Sequence, residues 1–252
     1  MTIDLKKLRE KYEELNKDNE GGGSGSDTVY VKLKDGNNTV RILPGKEGED
    51  WYSETAIHRI PQEGQKWDKN VHCRRVHGED CPICDAYYQL WDGINDGSSS
   101  DPDADRKLAG KIKARSRYYL NVLNREEGDS VQILSVGVKL FKSVVGIMMD
   151  EDFGDITDLE NGNDLKVVKE MVEGFPNYDQ SRPRPGKTPA LESKKAVAEA
   201  MDSLHDIQGL VRLEDYNETK RIAEEIAIHG KISGKQESGG VSDDDYAAKL
   251  KS

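Results

Sequence analysis

The sequence contains no run of about 18 apolar residues, which is the length that a helix needs to cross a membrane. Its first 20 residues are charged throughout, whereas a secretory signal would carry an apolar stretch behind a short basic segment. We therefore predict neither a membrane span nor a secretory signal. We expect a soluble, intracellular protein that does not contact a membrane.

Cysteine is scarce, with three residues in a chain of 252. An odd number of cysteines, two of them only three positions apart, is unsuited to a disulfide framework and suited to holding a metal ion. Hydrophobic residues make up only 35% of the chain and charged residues 34%. Because so polar a chain buries little apolar surface, we expect parts of it to remain unfolded.

The formal net charge of -11 argues at first against binding to nucleic acid, because lysine and arginine drive the binding of phosphates. The charges are segregated along the chain, however. Acidic residues collect at 101–105, 150–164 and 243–245, whereas residues 106–125 include seven basic side chains and no acidic one. A strongly basic surface is therefore compatible with the acidic total.

Hydrophobic periodicity predicts an α+β fold that is rich in strands at its centre. Alternating apolar residues at 29–33 and 40–42, around a turn at 35–38, predict a β-hairpin. A second hairpin is predicted between 115–122 and 131–138. Helical spacing of apolar residues follows in three segments: 140–149, 196–204 and 213–227. Short strands joined by polar turns are typical of a small barrel.

The same patterns divide the chain into a core and two appendages. Within residues 1–20, apolar side chains repeat at helical spacing among basic ones, which predicts an amphipathic arm. Residues 21–27 have the glycine and serine composition of a flexible linker. Residues 28–228 form the predicted core. Residues 229–252 have almost no large apolar side chain, so we predict a disordered acidic tail.

Three cysteines and a histidine give the strongest chemical signal. With the spacing H-x14-C-x7-C-x2-C, they are His58, Cys73, Cys81 and Cys84. Two cysteines separated by two residues can hold one Zn²⁺ from a tight turn, and a distant pair completes a tetrahedron. We predict one structural zinc ion in a subdomain at about 54–95, because four protein ligands leave no position for a substrate. His58 is favoured as the fourth ligand, whereas His72 and His77, which lie close to Cys73, could compete with it, and His77 is the main alternative.

Enzymatic interpretations of these residues are disfavoured. A redox-active cysteine pair would need a different chain context, and the flanking Asp80 and Asp85 oppose a reactive thiolate. A zinc deaminase places its catalytic glutamate well upstream of the cysteine pair, whereas only Asp80 separates Glu79 from Cys81. The acidic residues at 150–158 resemble a solvated loop more than the converging carboxylates of a nuclease. We therefore predict a protein without catalytic activity.

The region around residue 115 joins cations to aromatic rings. Strand alternation predicts that five side chains share one face, namely Lys111, Lys113, Arg115, Arg117 and Tyr119. Tyr118 faces the opposite side. A cationic groove beside aromatic faces is what binding of single strands without sequence preference requires. Trp67, Phe175 and Tyr178 are further stacking candidates. The alternative is a solvated basic strand with core tyrosines.

The order of these motifs resembles that of the single-stranded DNA-binding, helix-destabilising proteins of T-even-type bacteriophages and their cyanophage relatives. The resemblance covers roughly residues 28–227, which is most of the chain. It rests on His58 before Gly64-Gln65-Lys66-Trp67, on Cys73-x3-His77-Gly78, on Cys81-Pro82-Ile83-Cys84, on the basic segment ending in Tyr118-Tyr119, and on Gly174-Phe175-Pro176-Asn177-Tyr178-Asp179.

The resemblance implies an oligonucleotide-binding (OB-fold) β-barrel core with an inserted zinc subdomain and peripheral helices. It implies a protein that coats single-stranded DNA during phage replication, recombination and repair, in the cytoplasm of the infected bacterium. The arm would mediate self-association along DNA, and the acidic tail would bind replication and recombination proteins. The alternative is a zinc-stabilised RNA-binding or replisome scaffold protein without preference for DNA.

Overall fold

The computed structural model of the chain describes residues 30–62 and 68–229, with side chains through 227. The predicted N-terminal arm and linker, Trp67, and all but the first residue of the predicted tail lie outside the described residues. Nearly all of the described residues therefore belong to the predicted core.

The described residues form a mixed α/β structure with eight strands. The strands are β1 (Gly36–Ile42), β2 (Tyr52–Ile60), β3 (Lys69–His72), β4 (Arg115–Asn124), β5 (Ser130–Gly137), β6 (Leu165–Val172), β7 (Phe175–Asn177) and β8 (Arg182–Pro183). The α-helices are α1 (Pro82–Asn95), α2 (Pro102–Ile112), α3 (Val138–Met149), α4 (Lys194–Asp202) and α5 (Tyr216–His229). A short 3₁₀ helix, Arg74–His77, follows β3.

The strands form one sheet in the order β3-β2-β4-β1-β6-β7, with β5 paired to β4 and β8 paired to β6. All pairings between these strands are antiparallel. Strand β4 is the centre of the sheet, because β2 and β1 pair with successive parts of it and β5 pairs with eight of its residues. The sheet curls into a half-barrel that is compatible with an oligonucleotide-binding fold.

The second predicted hairpin is confirmed, because β4 and β5 pair from Arg117–Gly137 to Asn124–Ser130. Its turn includes two consecutive residues with positive φ, Gly128 at 67° and Asp129 at 59°. Glycine and aspartate are among the residues that adopt this conformation most readily. The local turn chemistry therefore made this hairpin predictable.

The first predicted hairpin is wrong for the described residues. One part of β1 pairs with β4 and the adjoining part with β6, and Tyr30 instead forms a parallel bridge to Ile133. The turn itself forms, since the side chain of Asn38 accepts a hydrogen bond from the Lys34 amide at 2.8 Å and donates one to the Lys34 carbonyl. The segment before the turn does not pair with β1, because β1 pairs with β4 and β6 instead.

The three predicted helices are confirmed as α3, α4 and α5, with bounds that differ by a few residues. Helices α1 and α2 were not predicted. Both begin with proline at the first helical position, and the side chain of Asp101 caps α2 by accepting a hydrogen bond from the Ala104 amide. None of the described helices is long and apolar enough to cross a membrane.

Apolar side chains pack on both faces of the sheet. One face has two clusters end to end, the first against α3 and the second among α1, α2 and α5. On the opposite face, α4 and the segment that follows it pack over Leu123 and Tyr119. This covering does not extend to the start of β4, where Arg115 is exposed and Arg117 is half-buried.

Candidate metal centre and nucleic-acid surface

Four buried side chains converge between β2 and α1. His58 lies on β2, Cys73 directly follows β3, Cys81 is the residue before α1, and Cys84 is in its first turn. Their ligand atoms all lie within 4.8 Å of one another. The structure therefore brings together four groups that could hold a metal ion.

Four distances between ligand atoms in this cluster are close to the edges of a tetrahedral metal site. The Cys73 sulfur lies 3.5 Å from that of Cys84 and 4.0 Å from that of Cys81. The Nε2 atom of His58 lies 3.4 Å from the Cys81 sulfur and 3.7 Å from the Cys84 sulfur. Ligand atoms about 2.0–2.3 Å from a zinc ion lie about 3.3–3.8 Å apart at tetrahedral corners. The donor set therefore fits a tetrahedral ion.

The orientation of the His58 ring is fixed by α2. The Nδ1 atom of His58 donates a hydrogen bond to the carbonyl oxygen of Ile112 at 2.6 Å, which leaves Nε2 facing the sulfur atoms. Histidine ligands commonly donate their second ring N–H in this way, and the bond sets the tautomer of the ligand. The sequence did not predict that Ile112 or helix α2 would contact the metal cluster.

The alternative ligand, His77, lies elsewhere. Its Nε2 atom is 3.3 Å from the hydroxyl of Thr55, and the Nδ1 atom of His72 is 3.0 Å from the same hydroxyl. Neither ring belongs to the four-residue cluster. The structure thus places His58, and not His77, beside the three cysteines.

The ionisable side chains of the cluster shift one another's pKa values. Burial opposes the charged imidazolium, but hydrogen bonds to Cys73 and Cys81 outweigh it and raise the pKa of His58 to about 10. Hydrogen bonds from its neighbours lower the pKa of Cys81, whereas the same sulfur contacts raise the pKa of Cys84. Binding of zinc would release protons from this cluster, because its ligands are neutral imidazole and thiolates.

The packing around the cluster extends beyond the predicted bounds of about 54–95. Ile112 of α2 and Ile222 and Ile226 of α5 are buried in the same apolar cluster as the cysteines. The Arg74 guanidinium donates to the Glu214 carbonyl at 2.6 Å, which ties the 3₁₀ helix to the segment before α5. Contacts with segments so distant in the sequence could not be predicted from the residues near the cysteines.

Three arginines share one face at the start of β4. Residues opposite each other in a sheet point to the same side, and Arg115 and Arg117 lie opposite Ile57 and Thr55 of β2. Arg59 follows in the same alternation. Burial, and then the charge of Arg59, lower the pKa of Arg117. Among the described residues, no carboxylate forms an ion pair with any of these arginines.

The predicted row of cations is wrong at its first two positions. Lys111 is in the last turn of α2 and Lys113 is the residue after it, because the helix continues to Ile112 and the strand begins only at Arg115. Both lysines are exposed. Arg59 of β2 lies on this face instead of the two lysines. The sequence did not predict it, because cross-strand pairing is not visible in sequence spacing.

Tyr118 and Tyr119, which were predicted to contact nucleic acid or else to be core tyrosines, are buried. Each is only 8% exposed. The Tyr118 ring stacks on Phe141 with centroids 3.8 Å apart, and its hydroxyl donates to Glu54 at 2.8 Å. Burial and the Glu54 contact raise the pKa of Tyr118 to about 12. Tyr119 packs with Ile133 on the opposite face, so the predicted alternation itself is confirmed.

Phe175 and Tyr178 occupy different environments. Phe175 is 75% exposed beside the two-residue turn between β6 and β7, where Glu173 and Gly174 both have positive φ. Tyr178 packs against the apolar cluster near α3. Its phenol acts electrostatically on both Arg117 and Lys169. Tyr178 is therefore part of the packing near α3, and Phe175 is exposed at the tip of the hairpin.

Comparison with known proteins gives one family. A search of curated proteins finds no match. The family model described as "gp32 DNA binding protein like" matches residues 34–227, which is most of the chain and nearly all of the described fold. The match agrees with the resemblance inferred from the order of the motifs. The chain belongs to the gp32-like family of DNA-binding proteins.

Proposed function

We propose that the protein coats single-stranded DNA without sequence preference, through a groove in which arginines contact phosphates and aromatic rings stack on bases. The observation that supports this most strongly is the face formed by Arg59, Arg115 and Arg117, which lacks a carboxylate partner among the described residues. Phosphates would neutralise these charges and release condensed counterions. In an acidic protein, an unneutralised basic face favours an anionic ligand.

Selectivity for single strands would come from the aromatic residues. Bases of a single strand can unstack and pack on an aromatic ring, whereas bases in a duplex are paired and stacked between neighbouring base pairs. Phe175 offers an exposed ring, and the half-buried Tyr178 would be a second stacking residue. Lys111 and Lys113 are exposed near the start of β4 and would add charge at the edge of the groove. The curled sheet would act as an OB-fold barrel.

One structural zinc ion would be held by His58, Cys73, Cys81 and Cys84. With four protein ligands it would supply folding free energy to a polar subdomain, and no coordination position would remain for catalysis. His58 faces the cluster while the next residue, Arg59, points to the other side of β2. The metal site would therefore also fix the position of an arginine of the DNA-binding face.

The wider role follows the family resemblance. The protein would act in phage DNA replication, recombination and repair in the cytoplasm of the infected bacterium, without catalytic activity. The arm at 1–20 would mediate cooperative self-association along DNA. The acidic tail at 229–252 would bind replication and recombination proteins.

The double substitution Arg59→Gln/Arg117→Gln tests the proposed groove. Two lost phosphate contacts should weaken binding to labelled oligo(dT) about tenfold at about 0.2 M salt and reduce the salt slope by about 1.4. Arg106→Gln is the control, because Arg106 is on α2 and pairs with Asp103. Equal losses in both variants would contradict the proposed groove. Equal binding of oligo(U) by the unmodified protein would favour the alternative without preference for DNA.

A further inference from the structure

A second group of cations lies at the other end of the sheet, where β8 pairs with β6. Lys166 lies directly opposite Arg182 in this antiparallel pair, and Arg184 follows two residues later. Arg182 and Arg184 are exposed, and Lys166 is half-buried. Like charges directly opposite each other destabilise a pair of strands. The arrangement therefore has an electrostatic cost that an anionic ligand would relieve.

The carboxylate of Asp164, two residues before Lys166, already has other partners. Asp164 accepts hydrogen bonds from Arg41 at 3.0 Å and from Arg125 at 2.9 Å, so it is shared by two other arginines. Within the described part of the chain, no carboxylate pairs with Lys166, Arg182 or Arg184. This edge of the sheet therefore remains positively charged.

The pairing of the strands places this group on the same side of the sheet as Arg117. Lys166 lies opposite Thr39 of β1, and Arg41, two residues further along β1, lies opposite Leu123 of β4. Side chains two residues apart on a strand point to the same side, as do residues that lie opposite each other. Leu123 and Arg117 are six residues apart on β4, so they also share a side. A bound strand can therefore pass from Arg117 to the second group along one side of the sheet.

We infer that Lys166, Arg182 and Arg184 form a second phosphate-binding patch that lengthens the path of single-stranded DNA beyond the groove at β4. This inference rests on the proposed function. Guanidinium groups suit the patch, because their planar donors can bind two phosphate oxygens at once. OB folds cover about 4 to 16 nucleotides, and within that range the patch would lengthen the strand that one protein molecule binds.

The test compares two oligonucleotide lengths, of about 6 and about 16 thymidines, that bracket the span of one OB fold. In the full-length protein, the salt slope of binding should be steeper for the longer strand. Arg182→Gln/Arg184→Gln should reduce the slope by about 1.4 for the longer strand and leave that for the shorter strand unchanged. Lys194→Gln/Lys195→Gln is the control, because it removes the same charge from exposed positions on α4.

A second variant, Lys166→Gln, guards against a folding defect in the first and should reduce the longer-strand slope by about 0.7. Unchanged slopes in both variants would overturn the inference, as would equal reductions in the control. Tighter binding of the variants at low salt would also overturn it, since the patch would then hold the acidic tail of the chain. If the unmodified protein bound neither strand, the proposed function would fail instead.

Discussion

Single buried polar residues determine how this polar chain holds its shape. Arg41 is completely buried, yet it is charged, and its guanidinium contacts Asp164 at 3.0 Å and the Thr188 carbonyl at 2.6 Å. Burial lowers the pKa of Arg41, and Asp164 opposes that effect. The pair joins β1 to the loop before β6 and to the segment before α4. Its loss would leave a buried charge without a partner.

Asp164→Asn should therefore destabilise the fold by about 3–5 kcal/mol, the usual range when one partner of a buried pair is removed. Chemical denaturation followed by circular dichroism measures the change. Glu225→Gln is the control, because its partner Arg221 is on an exposed surface of α5, and such pairs contribute at most about 1 kcal/mol. Similar losses in the two variants would contradict the buried role of Arg41.

The metal ligands can also be tested one residue at a time. Cys81→Ser should abolish the binding of one zinc ion per chain and lower the thermal midpoint, because the site supplies folding free energy. His77→Gln should retain the zinc, since His77 contacts Thr55 instead. Zinc released by a thiol reagent can be measured with a chelating dye. Retention of zinc by Cys81→Ser, or its loss in His77→Gln, would contradict the assignment.

Among the structural elements, the sequence correctly predicted those features that residues close together in the chain determine. The cysteine spacing identified the cluster because three of its members lie within 12 residues, and the β4–β5 hairpin followed from its turn. The pairing of β1 with β6, the role of α5 beside the cysteines and the position of Arg59 depend on contacts between distant segments. The burial of Tyr118 and Tyr119 likewise depends on which face a distant helix covers.

The β6–β7 hairpin gives a prediction at this scale. Phe175→Ala should leave stability unchanged, because the ring is exposed at the hairpin tip, but should weaken binding to oligo(dT) by about 1–3 kcal/mol. Phe175→Leu is the matched control, since it keeps an apolar side chain and removes the ring. Binding by Phe175→Leu at the level of the unmodified protein would show that aromatic stacking is not involved.

Across the whole molecule, the local distribution of charge matters more for binding an anion than the net charge does. The chain has an excess of 11 negative charges, yet Arg59, Arg115 and Arg117 form a face without carboxylate partners among the described residues. The acidic residues at 243–245 belong to the predicted tail. A mobile anionic segment can compete with DNA for a cationic groove.

Deletion of residues 241–252 should therefore raise the affinity for oligo(dT) at low salt, with a smaller effect at high salt, where charges are screened. Fluorescence anisotropy of a labelled oligonucleotide measures both affinities. A control that replaces the three aspartates at 243–245 with asparagine should reproduce most of the gain. An unchanged affinity after deletion would show that the tail does not compete for the groove.

We propose that the protein binds single-stranded DNA through a basic groove with aromatic stacking. Titration of the intrinsic tryptophan and tyrosine fluorescence with poly(dT) at two salt concentrations, with duplex DNA as control, tests this proposal. We predict strong quenching by poly(dT), weakened by salt, and little response to duplex. The absence of quenching, or an equal response to duplex DNA, would contradict the account.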